Sequence, residues 1–177
     1  MIIDTTYFIL DINLPVGTYS DLTEYITRFE PEVLTKLLGY EAYTLMAANP
    51  TKQRWKDLIE GKEYTVDWDG RDQRIKWNGL KNSAKISLIS DYVYYWYMRS
   101  KATLTGNVGE VKPKQENSFN AEAVAKVMNA WTRMRELYGY SGQTSIQPSA
   151  YNFLLENEDT YPEWVFSEIG RINSHDL

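Results

Sequence analysis

The chain has 177 residues, 43% of them hydrophobic and 14% aromatic, with a formal net charge of −5 and no cysteine. That is enough apolar material for one domain with a sizeable core, and it excludes disulfides, zinc–thiolate sites and thiol nucleophiles. Without a basic block to neutralise phosphates, direct nucleic-acid binding is disfavoured; no stretch approaches the roughly 18 uncharged apolar residues of a membrane span.

The first fifteen residues, MIIDTTYFILDINLP, are apolar but carry Asp4 and Asp11 and no basic residue, so they do not read as a signal peptide. They read instead as an extended arm or edge strand. Ser20 is placed to cap a short helix through about Phe29, with Asp21 and Glu24 in its first turn. Pro31 suits the first turn of a following helix, which carries Val33, Leu34, Leu37, Leu38 and, beyond Gly39, Tyr40, Leu45 and Met46. Asn49-Pro50 ends it. Thr51 can cap a third helix with Trp55, Leu58 and Ile59 on one face and Gly61 behind it.

Residues 62–77 change character. EYTVDW, DGRD and QRIKW read as two short strands around an Asp-Gly turn, a hairpin with one wet face. Helical spacing returns from about Ser83 to Lys101 or Ala102. Ile86, Ile89, Val93, Trp96 and Tyr97 form one stripe, and Tyr92, Tyr95 and Arg99 form a second. Five aromatics within positions 92–97 exceed one core-facing stripe, so this helix needs partners on several sides, either in its own domain or on a neighbouring subunit. Thr103 to Ser118 has no periodicity, and loops of that length are usually functional or disordered. Asn120 can cap a helix with Val124, Val127, Met128, Trp131, Met134 and Tyr138, stopped by Gly139. Ser149 can cap a short helix holding Tyr151, Phe153, Leu154 and Leu155. The remainder, from Tyr161, reads either as a strand or as an irregular arm. The fold class expected is mainly α, one domain, with an N-terminal arm (1–18), a helical core with a small β-hairpin (19–160, hairpin about 62–77) and a C-terminal arm (161–177).

Candidate chemistry is sparse. Asp67, Asp69, Gly70 and Asp72 superficially resemble a calcium loop, but an EF-hand needs its glycine at the sixth position and a glutamate at the twelfth; a solvated hairpin turn is the better reading. Gly106-Asn-Val-Gly109 lacks the Lys-Ser/Thr and the preceding strand of a phosphate loop, and its surroundings lack the basic residues of a nucleic-acid clamp. His175 is the only histidine and lies in the tail. Glu60 with Glu63, or Glu156 with Glu158, could act as a glycosidase pair beside exposed aromatics. Nothing amounts to catalytic machinery; the chain reads as non-enzymatic, with no cofactor or metal called for. The candidate intersubunit residues are Tyr92, Tyr95 and Arg99 on the aromatic helix, and Thr105, Gly106, Asn107, Val108, Gly109, Glu110, Val111, Lys112 and Pro113 in the loop.

The ordered series FEPEVLTKLLGYEAY, RWKDLIEGKEY, IKWNGL, KISLISDYVYYWYMRS, GNVGEVKPKQENS, AWTRMRELYG and YNFLLENEDTYPEW, spanning about Phe29 to Trp164, resembles structural proteins of tailed bacteriophages and prophages of Bacteroidales, including crAss-like phages. By overall plan the chain is similar to head–tail connector (neck or adaptor) proteins. The resemblance implies a ring-forming homo-oligomer, commonly twelvefold. Such a ring docks on the portal protein and hands over to tail or further neck proteins, with DNA only as transiting cargo. It implies a place in the virion neck, reached from the host cytoplasm during assembly. A tail-completion or tail-terminator role is the near alternative; a secreted carbohydrate-binding or carbohydrate-active protein is the alternative from another class.

Overall fold

Six helices and two separate two-stranded antiparallel sheets make up the fold, in a computed structural model that describes residues 1–14, 21–101, 104–106, 109–111 and 117–172, with side chains described outside 102–123. The class is mainly α with a small β-hairpin. Helix α1 is Leu22–Leu38, α2 Tyr40–Ala48 and α3 Gln53–Glu60; strands β1 Lys62–Trp68 and β2 Arg71–Trp77 follow. Helix α4 is Leu88–Lys101, strands β3 and β4 are Leu104–Gly106 and Gly109–Val111, and helices α5 and α6 are Asn117–Tyr138 and Ala150–Leu155.

The first helix corrects the reading of two elements meeting at Pro31. Helix α1 runs through Pro31 because Leu22, Ile26, Phe29, Val33 and Leu37 form one continuous buried stripe; Asp21 takes the N-cap position without a side-chain cap bond, and the expected cap Ser20 lies outside the described residues. Burying each such side chain contributes about 1.5–3 kcal/mol, which outweighs the roughly 3 kcal/mol that an internal proline costs. The break comes at Gly39 instead. Its φ of 80° and ψ of 160° end α1 and turn the chain into α2, and a Cβ there would sit 3.0 Å from that of Val165.

The hairpin forms where the sequence places it. Asp69 and Gly70 both have positive φ, as a two-residue hairpin turn of matching twist requires. Pairing runs from Lys62 opposite Trp77 to Trp68 opposite Arg71. Tyr64, Val66, Ile75 and Trp77 face the core, while Glu63, Thr65, Asp67 and Arg74 face water. The Trp77 indole donates to the Leu58 carbonyl at 2.8 Å, tying the sheet to α3.

Helix α4 starts at Leu88 rather than near Ser83. The Asn82 side chain folds back on both backbone groups of Ile86, and the Ser87 hydroxyl accepts from the Ile89 amide at 3.2 Å, a local cap. Helix α5 begins at Asn117, ahead of the expected Asn120. Helix α4 lies between α1 and α5, antiparallel to both: Tyr25 meets Tyr97 while Phe29 meets Tyr92, and Tyr95 and Asp91 meet Trp131 and Arg133.

Both terminal segments pack on the chain's own core. Ile3, Tyr7, Phe8, Ile12 and Leu14 are buried, and the buried Glu30 carboxylate accepts from the amides of Ile2 (2.7 Å) and Ile3 (3.1 Å). This segment forms two 3-10 turns, Thr5–Tyr7 and Leu10–Ile12, rather than a strand. At the other end, residues 161–172 form an irregular strap. The last carbonyls of any α-helix lack intrahelical partners, and here the strap supplies them. Val165 N–H donates to Leu38 O, Ser167 N–H to Lys36 O, and the Trp164 indole to Leu37 O, at 2.8–3.0 Å. Return bonds from Trp131, Arg135 and Tyr138 to strap carbonyls fix it against α5.

Candidate interaction surfaces

Helix α4 is aromatic on several sides because it is enclosed on several sides. The Tyr95 ring lies 4.3 Å from that of Trp131, the Tyr92 ring 5.9 Å from it, and Tyr92 meets the edge of Phe29. Each such pair adds about 0.5–1.5 kcal/mol beyond area burial. Tyr92 and Tyr95 are each 1% exposed. Their expected role as intersubunit contacts is therefore corrected at the level of the side chain: α1 and α5 of the same chain already cover both rings. Arg99 is the member of that trio left at the surface. Its guanidinium donates to the Tyr95 hydroxyl at 2.8 Å and lies over the Trp96 ring at 5.6 Å.

The polar spine of the bundle was missed at the level of sequence. Asp91, 0% exposed, takes two bonds from Arg133, 2.6 Å from Nη2 and 2.8 Å from Nε, and Arg133 also reaches Asp11 at 3.1 Å. Burial pushes the Asp91 carboxyl up while the guanidinium pulls against it, and Asp91 in turn raises Arg133. A buried carboxylate is tolerated only when paired in this way. The available signal was a lone acid inside an otherwise apolar helix face. Elsewhere burial, helped by the negative charge of Glu156, raises Tyr64 to about 12, the mark of a phenol held away from water rather than of an acid–base group.

Of the loop candidates, Thr105 and Gly106 lie in β3 and Gly109, Glu110 and Val111 in β4; Asn107, Val108, Lys112 and Pro113 lie outside the described residues. The expected aperiodic loop thus contains a ribbon, with Leu104 opposite Val111, Thr105 opposite Glu110 and Gly106 opposite Gly109. Among the described residues neither strand has a second neighbour. A lone two-stranded ribbon is marginal in water, and its outer edges offer backbone donors and acceptors to another chain.

The other candidates disperse. Asp67 and Asp72 face each other across the hairpin and Asp69 is in its turn. Among the described residues no group of three or more His, Asp or Glu could hold a metal ion, and no helix is long and apolar enough to cross a membrane. Glu60, Glu63, Glu156 and Glu158 are all exposed, with Glu63 3.7 Å from Arg74. His175 lies outside the described residues. A cavity of about 340 Å3 opens between the hairpin base, residues 78–88 and the end of α5, with Trp77, Leu88, Leu137 and Pro148 among its walls. No protein-family model matches this chain, and no curated protein or solved structure is significantly similar to it.

Proposed function

We propose that this chain is a non-enzymatic virion structural protein, a head–tail connector subunit that forms a ring between portal and tail of a tailed phage. The observation that carries the reading is the β3–β4 ribbon, inserted between the two helices α4 and α5 that pack along each other. Such a ribbon gains least from its own chain and most from a neighbour that adds a strand. The helical body packs largely on itself: the aromatic helix lies between α1 and α5, Asp91 pairs with Arg133, and both terminal segments bond to the same chain. A body of that kind with a strand-pairing extension suits a ring subunit. The resemblance to phage structural proteins in residues 29–164 supplies the biological setting, and a net charge of −5 suits a wall past which DNA slides without being held.

The test replaces residues 104–111 by a short Gly-Ser linker. The variant is expected to keep the helical circular dichroism and melting temperature of the parent chain, within the small range of surface changes, and to be missing from assembled particles. Normal incorporation of the variant would reject the ribbon as the assembly element.

A further inference from the structure

The C-terminal strap changes character at Val165. Up to Trp164 it is fixed by its side chains: the Tyr161 hydroxyl donates to Arg54 O at 2.6 Å, Glu163 pairs with Arg54, and the Trp164 indole donates to Leu37 O. Beyond Trp164, the hydrogen bonds to the helices all run through the strap's main chain. Val165 and Ser167 N–H donate to the last turn of α1. On the other side, Trp131 Nε1, Arg135 Nε and Tyr138 Oη donate to the carbonyls of Gly170, Ile169 and Ser167. Positions 131, 135 and 138 share one face of α5, so the two helices form a cleft that reads an extended backbone, as strand-addition sites do.

Little else holds residues 165–172 in place. Val165 is 67% exposed, Ser167, Glu168, Gly170 and Arg171 are exposed too, and only Ile169 is buried, with Phe166 and Ile172 packed partly against the core. Few buried apolar contacts and solvent-facing backbone bonds mark a segment that opens without the rest of the fold. Eight extended residues span roughly 26 Å, a length that lets a segment hinged at Val165 lie on an adjoining subunit. A second copy offers the identical cleft, so exchange replaces each contact like for like. We propose that this cleft is the docking site for residues 165–172 of a second copy, the intrachain occupant giving way to the neighbour's segment when copies assemble. The inference rests on the self-assembling part of the connector reading, and it is separate from the β3–β4 ribbon.

The test titrates a labelled synthetic peptide of residues 165–172 into the full chain, following binding by fluorescence anisotropy and mass by analytical ultracentrifugation. Saturable binding of one peptide per chain is expected, with the associated chain driven towards monomer as peptide fills its clefts. The peptide N-methylated at Val165 and Ser167 lacks the two donating amides and is expected to bind about ten-fold more weakly or worse. In the full-length double variant Val165→Pro, Ser167→Pro the chain's own segment loses the same donors. With its cleft no longer filled in cis, that variant is expected to bind the unmodified peptide about ten-fold or more tightly than the parent does. No saturable binding to the variant while its helical circular dichroism is retained would overturn the site. Peptide that binds the parent without lowering its mass, or a parent chain monomeric at its highest soluble concentration, would overturn the exchange. The connector reading fails separately, on absence of the chain from particles.

Discussion

Arg133 and Asp91 show what a single buried residue can cost. Each is adequate only in the presence of the other: the carboxylate is 0% exposed and both of its oxygens are taken by one guanidinium. Removing one partner leaves an uncompensated charge in the core. Arg133→Met is therefore expected to destabilise by about 3–5 kcal/mol in urea unfolding, and the double variant with Asp91→Leu by clearly less, since two apolar residues can replace a buried pair. Equal losses in the single and double variants would remove the pair from the account. A more exposed pair acts through pH. The bidentate Arg54 contact, 3.1 Å on each side, holds Glu163 below the usual glutamate range. A lowered folded-state pKa means that the stabilisation is present above about pH 4.5 and is lost as pH falls through the folded value. The melting-temperature gap between the parent chain and Glu163→Gln is thus expected to be widest above pH 4.5 and to close on acidification; a gap independent of pH would contradict it.

At the scale of elements, the hairpin and α3 are locked by a close approach of backbones. A Cβ on Gly79 would lie 2.5 Å from Ile59 O and 2.6 Å from Gly61 N, at a φ of 84°. Gly79→Ala is expected to destabilise by at least about 2 kcal/mol, because strain and overlap act together; chemical denaturation reads it directly. Elements set by local chemistry were legible in the sequence. Asp69-Gly70 demanded a turn of one type, Gly61 and Gly139 stopped helices, and Ser149 caps α6 by accepting from the Asn152 amide, as its position suggested. Elements decided at long range were not. Pro31 reads locally as a start, yet α1 passes through it, since the stripe from Leu22 to Leu37 is buried by α4 and the terminal segments. The β3–β4 ribbon was invisible because three-residue strands carry no period.

Over the whole molecule, the reading of the terminal segments and the aromatic helix turns on where their partners come from. Composition showed that Tyr92, Tyr95 and the apolar ends required cover; it had no means of showing that α1, α5 and the carbonyl end of α1 provide it within one chain. What the described residues leave uncovered is smaller and more specific: the outer edges of the ribbon, the exposed Arg99 and the exposed Leu10. The mainly α class and the hairpin at 62–77 were legible because periodicity and turn residues report on them directly. The most direct measurement is quantitative mass spectrometry of purified tailed particles produced by cells that carry the gene for this chain. The connector account predicts the protein in every DNA-filled, tailed particle, at a fixed copy number matching a ring and comparable to that of the portal. Complete particles lacking it would contradict the account.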